Sequence, residues 1–369
     1  MVKQKASFTG RSGRNDRVRG ALLMLSFTPA LRIVCGLSIM IASAAFTNTG
    51  VSAGTLDAVK QRDRVICGVD GDLLGFSKPD PSNGEMTGLD ADTCYAVAAA
   101  VLGDRDKVEF LPLNPDERFD ALHSSRIDVL ARNTTHTLRR EAALGVSFTY
   151  YNFIDSQSFI VKTSIGVDRA IELNGTRICV QDSTTTKENL VDFFLENGIK
   201  YTPVLYTTTR QTREGFERGE CNVLTADRSQ LAAMRKEMAE PDEAEILPDE
   251  ISKEPLGPVV REGDDQWANI VKWVVYALIN ADEMDISSSN VDEMKASDKP
   301  NIRRLLGLED DLGIHLGLTS DWAYRIIKQV GNYDEIYRRN IADKLNLPRA
   351  GSLNALWTDG GILYAPPIR

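Results

Sequence analysis

Segments typical of strands and helices alternate through two separate stretches of this chain, and this alternation narrows the folds it can adopt. In the first stretch, apolar runs predict strands at 64–69, 107–113 and 127–132, with helices predicted at 89–103 and 117–126 between them. Strands alternating with helices are typical of a parallel sheet covered by helices. The first stretch therefore predicts an α/β unit.

The second stretch repeats the pattern, with strands predicted at 176–181, 201–206 and 221–226 and helices at 184–198, 212–220 and 227–238. Both stretches contain a helix that ends in a short polar turn before a strand, in SSRIDVLAR (124–132) and in ERGECNVLT (217–225). The chain is long enough for two ordinary domains. We therefore expect two related α/β lobes.

Two extended segments, 150–162 and 254–263, lie at the ends of the second stretch and predict two strands that cross between the lobes. After the second crossing, apolar residues at three- and four-residue spacing from 264 onward predict a helix that packs on the first lobe. The predicted limits are lobe 1 at 54–157 and 255–298, lobe 2 at 158–254, and a C-terminal extension at 299–369 packed on lobe 1.

The first 53 residues differ from the rest of the chain. Seven basic residues precede an apolar run at 33–46, and small residues follow at 51–53. A basic region, a short apolar region and a small-residue site are typical of a secretory signal peptide. We expect cleavage after Ala53 and a periplasmic protein, with an uncleaved membrane anchor as the alternative.

The charge of the predicted mature chain limits its partners. Without 1–53 the chain keeps 36 basic and 52 acidic residues, a formal net charge of −16. So negative a protein is not expected to bind nucleic acid or an anionic membrane. The net charge does not argue against a small ligand, because such a ligand responds to the charge of its site. We expect a monomer that binds a small ligand.

Four cysteines remain after the predicted cleavage, at positions 67, 94, 179 and 221. An even count in an exported chain favours disulfides, and the absence of a CxxC pair argues against zinc. Three pairings are open. If each stretch forms one lobe, the pairs are Cys67–Cys94 and Cys179–Cys221; four buried free thiols are the alternative.

Polar residues follow several predicted strands at their carboxyl ends, where ligands bind in open α/β sheets. RNTTHTLRRE (132–141) follows one strand, QDSTTTKE (181–188) follows another, and Asp227 follows a third. Thr185 to Glu188 fit a capping box, whose helix N-terminus attracts an anion. Thr137 is expected to cap the next helix and Arg139 to be solvated.

These groups match the two charges of an α-amino acid. An arginine fork with threonine hydroxyls suits a carboxylate, and an aspartate suits an ammonium group. The competing interpretation is that the threonines cap helices and the arginines are surface charges.

Catalysis has little support in the sequence. Only His123, His136 and His315 are available, and neither a GxSxG nor an HExxH motif occurs. We therefore predict no catalytic residues, no metal and no cofactor.

The chain resembles the periplasmic amino-acid-binding proteins of ABC importers, in the branch that binds general L-amino acids. The resemblance covers most of the predicted mature chain and is carried by segments such as GLDADTCYAVAAAVLGD, RFDALHSSRIDVLARNTT, ICVQDSTTT and NALWTDGGILYAPPIR. It implies a type II periplasmic-binding-protein fold, no enzymatic activity, and delivery of the ligand to a membrane permease with ATPase subunits.

The resemblance also implies roles for individual residues. Arg140 is expected to bind the ligand α-carboxylate, helped by hydroxyl groups, and Asp227 to bind the α-ammonium group. The remaining expected contacts are Thr135, Thr184 and Thr185 at the carboxylate, the Asn133 carbonyl at the ammonium group, Phe76 in the apolar wall, and Asp70 and Arg132 near the rim.

Several residues depart from the family pattern. His136 and Met86 stand where the family usually has tryptophan, Ser183 where it has glycine, and Ala226 where it has threonine. The hinge reads Asp-Ser-Gln-Ser at 155–158 instead of Asp-Gly-Gln-Gly. Glycine adopts backbone angles that serine adopts only at a cost, so we expect altered specificity and altered closure.

Two alternatives to a transport protein remain. One is a secreted enzyme on the same fold, such as a dehydratase of a small carboxylate, with His136 as general acid or base. The other is a receptor subunit that presents its ligand to a sensor.

Overall fold

The computed structural model describes residues 54–369, so the predicted signal peptide and its cleavage site lie outside the described residues. The strands are β1 (Val65–Val69), β2 (Lys78–Pro79), β3 (Met86–Thr87), β4 (Val108–Pro112), β5 (Val129–Leu130), β6 (Val146–Phe148), β7 (Phe153–Asp155), β8 (Gln157–Lys162), β9 (Thr176–Gln181), β10 (Tyr201–Tyr206), β11 (Val223–Asp227), β12 (Ala244–Ile246), β13 (Glu254–Leu256) and β14 (Val259–Arg261). The helices are α1 (Thr55–Arg62), α2 (Leu89–Leu102), α3 (Arg118–His123), α4 (Leu138–Ala143), α5 (Thr185–Glu196), α6 (Thr209–Glu217), α7 (Arg228–Lys236), α8 (Asp265–Glu283), α9 (Val291–Met294), α10 (Pro300–Leu305), α11 (Trp322–Gln329), α12 (Tyr333–Tyr337) and α13 (Asp343–Leu345).

Two five-stranded sheets carry the fold and have the same internal order. The first runs β4-β1-β5-β14-β6 and the second β10-β9-β11-β8-β12. In each sheet the first three strands are parallel, and the fourth is antiparallel to both of its neighbours. We call the elements around these sheets the first and second lobes. The predicted pair of related α/β units is confirmed.

The two crossings form a small sheet of their own. Strand β7 pairs antiparallel with β13, with Asp155 opposite Glu254 and Phe153 opposite Leu256. The chain passes into the second lobe after β7 and leaves it at β13, so this pair is the hinge between the sheets. The predicted lobe limits next to these strands remain predictions.

Two predicted helix starts are corrected by their caps. The helix predicted at 212–220 begins at Thr209, because Thr208 and Gln211 form a capping box before it. The helix predicted from Thr184 begins at Thr185, and Thr184 accepts the backbone N–H of Lys187. The predicted capping box of Thr185 and Glu188 is therefore wrong by one residue, and the Thr185 hydroxyl has no capping role.

Helix α2 shows why the first lobe has a continuous core. Its sequence LDADTCYAVAAAVL is buried from Leu89 to Val101, and a helix buried all round must be enclosed by other elements. It packs against β1, α8 and α11. The buried Trp267 of α8 donates its indole N–H to the Asp128 carbonyl at 2.8 Å.

Both disulfides pair cysteines of the same lobe. Cys67 of β1 is bonded to Cys94 of α2, and Cys179 of β9 is bonded to Cys221 just before β11. The pairing expected from one lobe per stretch is confirmed. Each bridge ties together neighbouring elements of one sheet and its helices.

The C-terminal extension contacts the first lobe, the hinge and the second lobe. Helix α11 packs on α2, and α12 packs on α8. Asn354 forms two hydrogen bonds with the backbone of Ile154 in β7, accepting its N–H at 2.7 Å and donating to its carbonyl at 2.9 Å. Helix α13 also contacts α7, which the prediction of packing on lobe 1 did not include.

Candidate ligand-binding site between the two sheets

The carboxyl ends of three strands meet where the two lobes face each other. Strand β5 leads into Thr135, β9 leads into Thr185, and β11 ends at Asp227. The hydroxyls of Thr135 and Thr185 lie 3.4 Å apart, although these residues belong to different lobes. Two cavities open at this boundary, of about 650 Å³ beside Arg140 and Thr185 and about 440 Å³ beside Asp70 and Gln181.

Arg140 is held in place by its own helix start. Thr137 accepts the backbone N–H of Arg140 at 3.2 Å and caps α4, as predicted. The Arg140 guanidinium is buried, donates one hydrogen bond to the Thr135 carbonyl at 2.7 Å, and lines the larger cavity. Burial lowers its pKa to about 10, so the group remains cationic at neutral pH. A ligand carboxylate can use its other N–H donors.

Asp227 supplies a buried carboxylate from the second lobe. Its Oδ1 atom has no hydrogen-bond partner among residues 54–369. Burial raises its pKa well above the usual value, reinforced by the negative charges of Glu254 and Asp155 and opposed by Arg140 and Arg118. A cationic group placed beside it would relieve both effects.

Glu254 is a central residue that the sequence analysis missed. Its carboxylate accepts the Thr135 hydroxyl at 2.6 Å and the Thr185 hydroxyl at 3.4 Å. Its other oxygen accepts Asn189 at 2.7 Å and Ser252 at 2.6 Å. Glu254 thus joins the threonines of both lobes at the hinge strand β13.

These contacts change the expected roles of the threonines. A hydroxyl has one hydrogen to donate, and that of Thr135 is directed at Glu254. The Thr184 hydroxyl donates to the Gln181 carbonyl at 2.7 Å while capping α5. Of the three, Thr185 has the weakest existing contacts and lines the larger cavity.

Asn133 lies next to the buried charges with part of its bonding capacity unused. Its backbone adopts a positive φ of 33°, and its N–H donates to Asp90 Oδ2 at 2.7 Å. Its side-chain Oδ1 is buried and has no partner within the described chain. Burial raises the pKa of Asp90 to about 7. Asp90, in the first turn of α2, therefore supports the loop of Asn133.

Asp70 and Arg132, expected near the rim of the pocket, form a buried ion pair. Their side chains are 6% and 4% exposed, and their charged groups lie 2.7 Å apart. Arg132 also donates to the Leu113 carbonyl at 2.7 Å, and Thr209 of the second lobe donates to Asp70 at 3.3 Å. Both charged residues line the smaller cavity.

Phe76 lies in the core of the first lobe, edge-on to Phe153 with 5.3 Å between ring centroids. It is not among the residues that line either cavity. The aromatic ring that lines the larger cavity belongs to Phe119, which follows the end of β4.

His136 is packed away from the buried charges. Its ring stacks on Phe148 with 4.3 Å between centroids, and Nε2 lies 2.8 Å from a Glu141 carboxylate oxygen. It is not among the residues lining the larger cavity. Stacking on Phe148 explains why an aromatic residue suits this position.

The serines that replace glycine differ in backbone conformation. Ser183 has φ of 60°, a left-handed conformation that favours glycine. Ser156 and Ser158 are not among the positive-φ residues, so the hinge does not require glycine there. Ala226 is buried in β11 opposite Ser158 and packs in the second lobe. The expected backbone cost therefore falls at Ser183 and not in the hinge.

Arg118 is a second buried arginine that the sequence analysis did not select. It begins α3 and is 3% exposed, and its Nε has no hydrogen-bond partner within the described residues. Burial lowers its pKa well below the usual value, and the positive charges of Arg140 and Arg132 add to this effect. Its electrostatic neighbours therefore include residues of the proposed site.

The fold and site define a class: two α/β lobes joined by a two-stranded hinge, with unpaired buried charges where the lobes meet. The family described as bacterial extracellular solute-binding proteins, family 3, matches residues 65–289. The chain belongs to this family, and the predicted type II periplasmic-binding-protein fold is confirmed.

Individual relatives cover nearly the whole described chain. The chain is 51% identical to the general L-amino acid-binding periplasmic protein AapJ of Rhizobium johnstonii, over 87% of this chain and 94% of the relative. It is 47% identical to the glutamate/glutamine/aspartate/asparagine-binding protein BztA of Rhodobacter capsulatus, over 89% and 97%. A periplasmic binding protein from Brucella ovis with glutathione bound superposes with a TM-score of 0.83, at 46% identity over 86% of this chain and all of that one.

Proposed function

We propose that this protein is a periplasmic solute-binding protein that captures L-α-amino acids and delivers them to an ABC importer. The observation that carries the proposal is a pair of buried opposite charges from different lobes: Arg140, which lines the larger cavity, and Asp227, on which the charge of Arg140 acts. Arg140 makes one side-chain hydrogen bond and Asp227 Oδ1 makes none within the described residues, while Thr135 and Thr185 meet between the lobes.

The two charges match the two charges that every free amino acid carries. The Arg140 guanidinium offers paired N–H donors to the α-carboxylate. Asp227 and Asn133 Oδ1 accept hydrogen bonds from the α-ammonium group. Both relatives named above are described by the amino acids that they bind. Binding between lobes also gives the permease a ligand-dependent shape to recognise.

Calorimetric titration tests the proposal. The purified protein is unfolded and refolded to remove any ligand carried along, and then titrated with a panel of L-amino acids and their D-enantiomers. We expect saturable binding of several L-amino acids and weaker binding of their enantiomers. Absence of binding by every amino acid in the panel would overturn the proposal.

Delivery to an importer, export and the monomeric state belong to the same proposal. Genes for a permease and an ATPase beside this gene would support transport, whereas a sensor kinase gene would support the receptor alternative. Mass spectrometry of the periplasmic protein should give a chain that begins near Gly54, and sedimentation should give one copy per particle.

The dehydratase alternative has no specific support in the structure. It depends on His136, which stacks on Phe148, contacts Glu141 and is not among the residues that line either cavity. Binding without turnover is therefore the proposed activity.

A further inference from the structure

Five charged side chains form an alternating chain where the two lobes meet, outside the larger cavity. Asp72 follows β1 and Lys78 begins β2, both in the first lobe, whereas Arg210 and Arg213 lie in α6 and Glu237 directly follows α7 in the second lobe. Contacts between them connect, in order, Arg210, Asp72, Lys78, Glu237 and Arg213. Each side chain is therefore paired only with the opposite charge.

Two of the four ion pairs cross between the lobes. Arg210 Nε lies 2.7 Å from Asp72 Oδ2, and the Lys78 ammonium group is paired with the Glu237 carboxylate. The other two pairs each lie within one lobe, Lys78 at 3.0 Å from Asp72 and Arg213 at 2.6 Å from Glu237. The crossing pairs can form only while the lobes are close together, whereas the other two can persist after the lobes separate.

This charge chain differs from an isolated surface ion pair. Apart from Arg210, its side chains are between 16% and 29% exposed. An apolar contact lies beside it: Leu345 of α13 packs against Gly75, between Asp72 and Lys78, and shares an apolar cluster with α7. An exposed single pair contributes little to stability, but several charges joined in a partly buried network can contribute more.

We propose that these five charges form a clasp that holds the lobes closed in the absence of ligand. The Lys78–Glu237 pair lines neither of the two cavities, although Asp72 and Arg210 line the smaller one. The clasp therefore sets the ratio of closed to open molecules before a ligand arrives, and a ligand that binds the closed form benefits from that ratio. This goes beyond the proposed function, because it concerns the ligand-free protein.

The rival explanation is that contacts next to the hinge alone hold the lobes together. Glu254 accepts the hydroxyls of Thr135 and Thr185, which come from different lobes. If those contacts suffice, removing charges from the clasp changes nothing in the distance between the lobes. The clasp, unlike hydroxyl contacts with a buried acid, is also sensitive to salt, because salt screens partly exposed charges.

Double electron–electron resonance between two spin labels measures the distance between the lobes without any ligand. Ser124→Cys in the first lobe and Glu196→Cys in the second place the labels at exposed positions. The cysteines of the described chain are all in disulfides and do not react with the label. The labelled protein is unfolded without reductant and refolded to remove any bound ligand.

Three variants of the labelled protein are compared with it: Lys78→Met, Lys78→Met with Arg210→Met, and Lys107→Met. The last is the matched control, because Lys107 is 35% exposed and pairs at 2.8 Å with Asp63 of its own lobe. Thermal unfolding of each protein shows whether it is folded. Distances are recorded at low salt and in about 1 M NaCl, where the screening length is about 3 Å.

We expect the labelled parent and Lys107→Met to be mainly closed at low salt. The double variant should lower the ratio of closed to open molecules by at least about fivefold, as expected for the loss of two ion pairs in a network. Lys78→Met should give a smaller change in the same direction. High salt should lower the ratio in the parent but not in the double variant.

The proposal is overturned by an unchanged ratio in the double variant, by an equal change in Lys107→Met, or by a ratio in the parent that does not respond to salt. If the double variant does not fold, Glu237→Gln replaces it, and an unchanged ratio in that protein decides against the clasp. These outcomes are independent of the proposed function, since no amino acid is present in the experiment.

Discussion

Arg140 is the residue on which ligand affinity depends most, because it combines burial, a fixed backbone position and free donors. We predict that Arg140→Met weakens amino-acid binding by at least about 100-fold, since hydrogen bonds to a charged group contribute about 1.5–3 kcal/mol each. Arg126→Met is the matched control. Arg126 is exposed and lies outside the linings of both cavities. Calorimetry of both variants checks the prediction, and similar losses in the two would contradict it.

Ser183 is the residue where a substitution should relieve backbone strain. A non-glycine residue in the left-handed conformation costs about 1–2 kcal/mol, which exceeds the entropic cost of introducing glycine. We predict that Ser183→Gly leaves the free energy of unfolding unchanged or raises it by up to about 1 kcal/mol. Ser156→Gly, at a position without positive φ, should lower it by about 0.5–1 kcal/mol. Urea unfolding measures both, and the reverse order would show that the hinge serine is the strained one.

Sequence reasoning found the candidate site residues that stand in a recognisable local pattern. It missed those whose position depends on partners far away in the chain. Asp227 ends a strand and Arg140 lies in the polar segment 132–141 after another, so the rule for strand ends selected both regions, and the resemblance singled out Arg140. Arg118 also follows the end of a strand, β4, but it begins α3 and resembles an ordinary charged helix start. Glu254 lies in a hinge strand, where a buried acid depends on partners from distant segments, Thr135 and Asn189, as well as on the nearby Ser252. No local pattern records such partners.

At the scale of elements, alternation of strands and helices predicted the sheets well. Strand β9 has the predicted limits, whereas the strand predicted at 127–132 is reduced to Val129–Leu130. The reason is tertiary: Asp128 turns its carboxylate to the Ile66 N–H at 2.7 Å, and the chain after Leu130 turns into the site. The antiparallel insertion of β14 and β8 was not predicted, because periodicity carries no information on strand order.

The hinge pair β7 and β13 is supported by the C-terminal extension through Asn354. The Asn354 amide oxygen accepts the Ile154 N–H, and the Asn354 amide nitrogen donates to the Ile154 carbonyl. Asn354 itself is buried. We predict that Asn354→Ala lowers the free energy of unfolding by about 1–3 kcal/mol, because two partly buried backbone groups lose their partners. Hydrogen exchange at the Ile154 amide should accelerate more than at amides of the second sheet. Unchanged protection at Ile154 would show that the extension does not support the hinge.

For the whole molecule, the buried carboxylates predict a pH-dependent affinity. The pKa of Asp227 is raised in the ligand-free protein, and an ammonium group beside it lowers that pKa again. Amino-acid binding should therefore release protons, and affinity should increase as pH rises from about 5 to 8. Because the pKa of Asp227 is higher in the ligand-free folded protein than in the unfolded chain, this residue favours the folded state at low pH. That contribution is lost as the pH rises through the raised pKa. Asp155, whose pKa burial raises to about 6, acts in the same direction.

Calorimetry in two buffers with different ionisation enthalpies measures the protons released. Asp227→Asn, tested at the same pH values with concentrated ligand, should remove most of this pH dependence along with most of the affinity. Proton uptake on binding, or an affinity independent of pH over that range, would contradict the assignment of Asp227.

The central claim is that the two lobes close on the α-carboxylate and the α-ammonium group of one ligand. The most direct measurement compares L-glutamine with two analogues that each lack one of these groups, 4-aminobutanamide and 4-carbamoylbutanoate. Calorimetric titration of the wild-type protein should give saturable binding of glutamine and at least about 100-fold weaker binding of both analogues. Binding of either analogue as tightly as glutamine would show that Arg140 and Asp227 do not act together on an amino acid.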